Sequence, residues 1–310
     1  MPRPLPAIRL AWGILTLTST LGVAHAGEEP AELTVQNSVG VRLGVRPELD
    51  RPRLRLYLPD RTEHAVEIDF PEHAWGRDRG STKQKFFYLM VATGPDLRAR
   101  PRWRKDGMTI GYETPLSAGV SLMAEATLAE DRLRVRYTLT NSGGIDYEVC
   151  QSPTCFKLYR PLMDEYLERT WVHHPEGLDL LASETPQRLT WNAEEWLPCR
   201  YLVQFHPPSI PPERRREMQP DGITWHHKLR RVDAPFLATA TEDRAWVAAT
   251  YTSDATNVWS NPARSCHHAD PEAPLPANGK ADLSYTFLLR RGTPEEAWAT
   301  YRAERAPSPR

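Results

Sequence analysis

Strict two-residue alternation restricts the fold of this chain more than any other feature. Val120, Leu122, Ala124, Ala126 and Leu128 take every second position. After the short link Glu130-Asp131 the pattern resumes at Leu133, Val135, Tyr137 and Leu139, with Arg132, Arg134, Arg136 and Thr138 between them. Leu54, Leu56 and Leu58 alternate with Arg53, Arg55 and Tyr57, while Val39, Val41, Leu43 and Val45 share one face. Leu283, Tyr285, Phe287 and Leu289 repeat the pattern near the end. A period of two gives each run one apolar and one wet or charged face, as in antiparallel sheet packed on one side. The two-residue link predicts a tight hairpin. Further strands are expected over 85–92, 108–113, 201–205, 223–229 and 245–251, and the 29 prolines suit short strands joined by long loops. One helix is expected at the C-terminus: Thr293 as N-cap, Pro294 at N1 and Glu296 at N3 form a capping box, and Ala297, Trp298 and Tyr301 give it an apolar side. The expected fold is all-β, a large antiparallel β-sandwich with a short C-terminal helix.

The N-terminus has the three parts of an export signal. Arg3 and Arg9 precede an apolar stretch from Leu10 to Val23, and Ala24-His25-Ala26 supplies the small residues of a cleavage site. That stretch is shorter than the roughly 20 residues needed to span a bilayer. The expected organisation is a signal peptide over 1–26 and a single β-sandwich domain over 27–310, secreted or periplasmic, with no membrane span after cleavage. Export changes how the cysteines read. Cys150, Cys155, Cys199 and Cys266 are an even set in an oxidising compartment, which favours disulfides. Three pairings are open; Cys150–Cys155 would close a hairpin loop and leave Cys199 with Cys266.

Taking Arg3 and Arg9 from 39 basic residues, against 40 acidic ones, leaves a net charge of about −3 on the expected mature chain. Nucleic acid needs a concentrated positive face, so it is excluded as a partner. Six histidines stand in adjacent pairs, His173-His174, His226-His227 and His267-His268. Neighbours on a strand point to opposite faces, so each pair offers one imidazole to a given site. A divalent metal would need one His from several pairs plus Asp270 or Asp164. No close-spaced ligand motif supports one, so no cofactor is expected. The segment from Arg160 to Arg169 concentrates charge beside aromatics. Asp164 and Glu168 would share one face of a helical turn and could divide acid and base roles, while Arg160 or Arg169 could hold a substrate carboxylate. Two connections are long, 206–222 and 257–280; the second holds Trp259, Asn261, Cys266, His267, His268 and Asp270. Trp259 with Asn261, and Trp75 with Arg77 and Asp78, have the composition of sugar-stacking platforms; Trp103, Trp191 and Trp196 also lie in loop-like polar contexts.

The stretch Leu133-Arg134-Val135-Arg136-Tyr137-Thr138-Leu139-Thr140-Asn141-Ser142 ends a strand in a Thr-Asn-Ser turn. It resembles the central strand of galactose-mutarotase-like proteins, the β-supersandwich folds of sugar epimerases and several polysaccharide lyases. The resemblance implies that fold and a sugar-like ligand. In the epimerases the segment after this strand carries a catalytic His; here it reads Cys155-Phe156-Lys157-Leu158-Tyr159. The leading expectation is therefore a carbohydrate- or polysaccharide-binding protein using a concave sheet face and the 257–280 loop, with Trp259, Asn261, Arg160, Arg169 and Asp270 as ligand contacts. The alternatives are a lyase- or epimerase-type enzyme using His206, His267, His268 and Asp164, and a structural envelope protein. The sequence leaves the oligomeric state open.

Overall fold

The hairpin predicted around Glu130-Asp131 forms the middle of the largest sheet. The computed structural model describes residues 33–45, 52–81, 83–89, 101–183, 199–204, 216–218, 224–227, 232–255, 257–260 and 265–305, all within the compact unit Glu32–Arg310. β9 (Val120–Leu128) and β10 (Arg132–Asn141) pair from Leu133↔Leu128 to Asn141↔Val120, and the Ala129 amide donates to the Arg132 carbonyl at 2.8 Å across the turn. Every predicted apolar position on β9 is buried and its neighbours are half-exposed. β10 pairs on its other edge with β23 (Lys280–Arg291).

This nine-stranded sheet runs in the order β14 (Gly177–Leu180), β13 (Thr170–His174), β18 (Phe236–Ala240), β19 (Trp246–Tyr251), β23, β10, β9, β8 (Thr109–Pro115), β7 (Arg104–Asp106). A six-stranded sheet has the order β1 (Leu33–Gln36), β2 (Arg42–Val45), β3 (Arg53–Tyr57), β4 (Val66–Asp69), β12 (Cys155–Leu158), β21 (Cys266–His267). Both are antiparallel, as is a four-stranded sheet of β22 (Ala273–Leu275), β11 (Tyr147–Gln151), β5 (His73–Asp78) and β6 (Gln84–Leu89). The fourth sheet, β16 (Arg216–Met218), β17 (Thr224–His227), β15 (Cys199–Gln204) and β20 (Asn257–Ser260), contains the parallel pair β15–β17. Apolar faces of the first three sheets meet in one core that includes Leu43, Leu54, Leu56, Ile68, Phe87, Leu122, Tyr137, Phe156 and Phe287. The fold is thus the all-β sandwich that the alternation implies. Val39 departs from its expected face: it lies in the turn before β2 and is exposed.

The C-terminal helix α1 (Pro294–Arg305) covers the outer side of β18 and β19. Ala297 and Tyr301 are buried against Phe236, Ala238, Val247, Ala249 and Tyr251, with Trp298 half-buried beside them. Its capping box forms as read: the Glu296 amide donates to Thr293 Oγ1 at 3.3 Å, and the Thr293 amide donates to Glu296 Oε2 at 3.0 Å. Thr293→Ala is expected to cost about 1 kcal/mol in urea denaturation, the ordinary price of an N-cap. No helix among the described residues is long and apolar enough to cross a membrane.

The 257–280 segment is not one long loop; it contains β20, β21 and β22. These strands are two to four residues long, too short to show hydrophobic alternation.

Candidate functional site

Register across β3, β4, β12 and β21 builds a polar sheet face. Arg53 opposes Asp69, which opposes Cys155; Arg55 opposes Glu67, which opposes Lys157, which opposes Cys266. Directly opposed residues share a face. Arg53, Arg55, Glu67, Asp69, Cys155, Lys157 and Cys266 therefore stand together, and continuing the register sets His268 opposite Cys155. The alternate positions Leu54, Leu56, Val66, Ile68, Phe156 and Leu158 enter the core.

Charge on this face is closely paired. Arg53 Nε lies 2.9 Å from Asp69 Oδ1 and its Nη1 3.4 Å from Glu67; Arg55 reaches Glu67 at 3.2 Å, and Lys157 Nζ reaches Asp69 at 2.6 Å. Glu67, Asp69 and Lys157 are buried, whereas the two arginines are partly open to solvent. Burial alone would lower the Lys157 pKa, but the Asp69 carboxylate outweighs it and holds the ammonium above its ordinary value. Three cations face two carboxylates. Where the face opens stands Tyr159, 37% exposed, its ring edge-on to His64 at 4.6 Å. Burial, with Glu67 nearby, raises its phenol pKa. Arg42 lies 4.5 Å over the ring of Tyr57 on the same side.

The other end of the face is closed. The sulfurs of Cys155 and Cys266 and a ring nitrogen of His268 lie within 4.8 Å of one another, and all three residues are buried. His268 Nδ1 is 3.3 Å from Asp270 Oδ2, and buried His268 Nε2 meets no oxygen or nitrogen partner. Trp259 stacks on the imidazole, centroids 3.7 Å apart and planes 9° from parallel. Burial works against a charged His268, but Asp270 and the Cys266 sulfur outweigh it and its pKa is pushed up to about 10. Hydrogen bonding to Cys266 and burial drive the Cys155 thiol well above its ordinary value. Asp270 is itself held: the Tyr285 hydroxyl lies 3.2 Å from Oδ1 and the Thr154 amide donates to it at 3.4 Å.

His267 points the opposite way. Its Nε2 is 2.7 Å from Thr239 Oγ1 and its Nδ1 3.1 Å from Thr250 Oγ1, on β18 and β19 of the facing sheet. Proton counting assigns its tautomer. Thr170 Oγ1 donates to Asp164 Oδ2 at 2.8 Å, so the 2.8 Å contact between Thr239 and Thr170 uses the Thr239 proton. Thr239 then accepts from His267 Nε2–H, and Nδ1 accepts from Thr250. Burial, followed by the charge of His268, pushes the His267 pKa down to about 3. His267 is a neutral core residue, not a group facing a substrate.

Other expected site residues divide similarly. Asp164 does not share a helical face with Glu168. The segment is a turn in which the Asp164 carboxylate accepts from the Glu168 amide at 3.1 Å and the Arg169 amide at 2.8 Å, with Leu167 at φ 53°. Arg169 donates to the carbonyls of Ala240 at 2.6 Å and Met163 at 2.5 Å, so its guanidinium clamps backbone. Arg160 is exposed beside Tyr159. Trp259 and Trp75 are buried rather than offered as open platforms, and Trp103 packs against Phe70 and Tyr112. Cys150 and Cys155 are not bonded to each other, so the expected hairpin disulfide is not formed; the sulfur facing Cys155 is that of Cys266. His206, Asn261, Trp191 and Trp196 lie outside the described residues, as does the side chain of Cys199. Sequence reasoning missed Tyr159, Glu67, Asp69 and Lys157, and it placed Cys155 and Cys266 only as staples. Glu67 and Asp69 alternate across β4, the one local signal that could have drawn attention to them.

No family model matches the chain, and no curated protein sequence matches it. Solved structures do. A galactose mutarotase related enzyme from Lactobacillus acidophilus aligns over 85% of this chain and 98% of its own, with TM-score 0.46 and 9% identity. A galactose mutarotase-like protein from Lactobacillus casei gives 84% and 100%, TM-score 0.44 and 13% identity. A putative aldose 1-epimerase from Escherichia coli K12 gives 84% and 99%, TM-score 0.45 and 9% identity.

Proposed function

We propose that this chain is an exported protein that binds carbohydrate on the open end of the polar face. The observation that carries the reading is Tyr159, a large exposed aromatic beside the Arg53–Glu67–Arg55 and Lys157–Asp69 pairs. An aromatic ring supplies the flat apolar surface that a sugar's C–H face packs on, and planar charged groups beside it bind hydroxyls in fixed directions. The excess of one cation favours acidic sugars such as uronates. The buried residues of the 257–280 segment support the face from below and do not contact the ligand.

Glycan-array screening of the purified protein tests this directly. Uronate-containing glycans are expected to bind, and Tyr159→Ala is expected to weaken binding at least about tenfold, the loss of one stacking platform. The unfolding free energy of that variant, read from urea denaturation, is expected to stay within about 0.5 kcal/mol of the parent. No binding to any glycan, or undiminished binding by Tyr159→Ala, overturns the reading. Appearance of unsaturated uronates in the same incubations would instead establish lyase chemistry.

A further inference from the structure

We propose that Cys155, Cys266 and His268 bind one Zn²⁺ ion through two thiolates and an imidazole nitrogen, with Asp270 holding the imidazole in place. The inference stands independently of carbohydrate binding. Its first support is convergence: three ligand atoms from strands over 100 residues apart in sequence lie within 4.8 Å of one another in a buried setting. Around a tetrahedral zinc, with Zn–S of about 2.3 Å and Zn–N of about 2.0 Å, such atoms stand roughly 3.3–3.8 Å apart. A contraction of at most about 1.5 Å, within the reach of side-chain rotation, closes the set.

The second support is His268 itself. Asp270 occupies the Nδ1 side at 3.3 Å, and buried Nε2 meets no oxygen or nitrogen partner, the Cys266 sulfur being the group beside the ring. An unpartnered buried nitrogen is costly unless something takes its lone pair or proton. A carboxylate on one imidazole nitrogen and a metal on the other is the arrangement that fixes the tautomer and strengthens the ligand. Asp270 is in turn fixed by Tyr285 and the Thr154 amide, and Trp259 sets the plane of the ring.

Charge selects the ion. Two thiolates and a dication sum to zero, which a buried site tolerates, whereas a monovalent ion would leave a net negative charge beside Asp270. Each thiol releases its proton to solvent as the metal binds, and His268 releases the proton on Nε2 while keeping the one on Nδ1 toward Asp270. The register also separates this from a disulfide. Cys266 opposes Lys157, so Cys155 is its diagonal neighbour. Diagonal Cα atoms across a strand pair are about 7–8 Å apart, beyond the span that a disulfide bridges without backbone movement. A metal ion between the sulfurs spans the diagonal.

Because the ligands are buried, loading belongs with folding. The full chain is reduced, unfolded and refolded without oxygen in the presence of Co²⁺, a spectroscopic substitute for zinc. One Co²⁺ per chain is expected, with the strong near-ultraviolet thiolate-to-cobalt band and the visible bands of tetrahedral cobalt, both abolished by added Zn²⁺. Cys150→Ala, outside the cluster, is expected to keep the signal. Cys155→Ala and Cys266→Ala are expected to lose it, and Asp270→Asn to weaken affinity about 10- to 100-fold. If these variants do not fold, X-ray absorption at the zinc edge of the parent protein decides: two sulfur neighbours are expected, and an all-oxygen shell overturns the proposal. It is equally overturned by folded parent protein that takes up no stoichiometric thiolate-bound metal, or by a Cys155–Cys266 disulfide in the isolated chain.

Discussion

Asp69→Ala is expected to lower the stability of this protein by about 3 kcal/mol, because it strands the buried Lys157 ammonium on a largely covered sheet face. Lys157 loses its 2.6 Å partner at a position where the side chain is only 10% exposed, and Arg53 loses its 2.9 Å contact. The effect is read as a fall in the urea midpoint with an unchanged slope. The paired replacement Asp69→Leu with Lys157→Met removes both buried charges together, and it is expected to recover most of the loss, since apolar groups of similar volume often replace a buried ion pair without cost. A loss below about 1 kcal/mol for Asp69→Ala would mean that the pair contributes no more than a surface salt bridge.

Asp164→Ala carries the second large effect, about 4 kcal/mol, for a different reason: three donors lose their shared acceptor. The Glu168 amide, the Arg169 amide and the Thr170 hydroxyl all point at this carboxylate. The damage extends beyond the turn. Asp164 accepts the Thr170 proton and so sets the direction of the chain Thr239, His267, Thr250. Asp164→Asn retains one acceptor oxygen and is expected to cost about half as much. Nitrogen-15 shifts of the His267 ring give a second readout: the Nε2–H tautomer of the parent is expected to lose its single-tautomer signature in Asp164→Ala.

Much of the fold was legible because long strands packed on one side must alternate. β9, β10 and β23 each run nine residues or more, long enough for a period of two to stand out. The capping box was legible because its chemistry is local, with donor and acceptor three residues apart. The candidate site was mostly illegible, and each failure has a cause. Asp164 and Glu168 have the spacing of a helical pair, yet an Asp-capped turn produces the same offset when a side chain binds the amides four and five residues on. Arg53 and Arg55 read as a wet face. They pair instead with Glu67 and Asp69, a fact of strand register that no single-strand pattern encodes. Cys155 and His268 meet only because β12 and β21 are neighbours in the sheet, far from neighbours along the chain. The histidine pairs were better placed, since opposite orientation of adjacent residues follows from strand geometry alone. His267 and His268 show it, as do His173, beside Asp233 and Trp298, and buried His174.

That opposite orientation has a consequence for what the chain tolerates. β21 is short: it pairs with β12 at two positions, and reciprocal backbone bonds tie His268 to Trp259 on the other side. The side chains then penalise any other phase. A slip of one residue would put imidazole His268 among the threonines, turn Cys266 away from Cys155, and set His267 opposite Lys157 with its neutral-core partners left behind. Three consecutive residues with incompatible destinations thus act as a vernier: a sequence change near β21 is tolerated only where Cys266 and His268 still face Cys155 and His267 still faces the threonines.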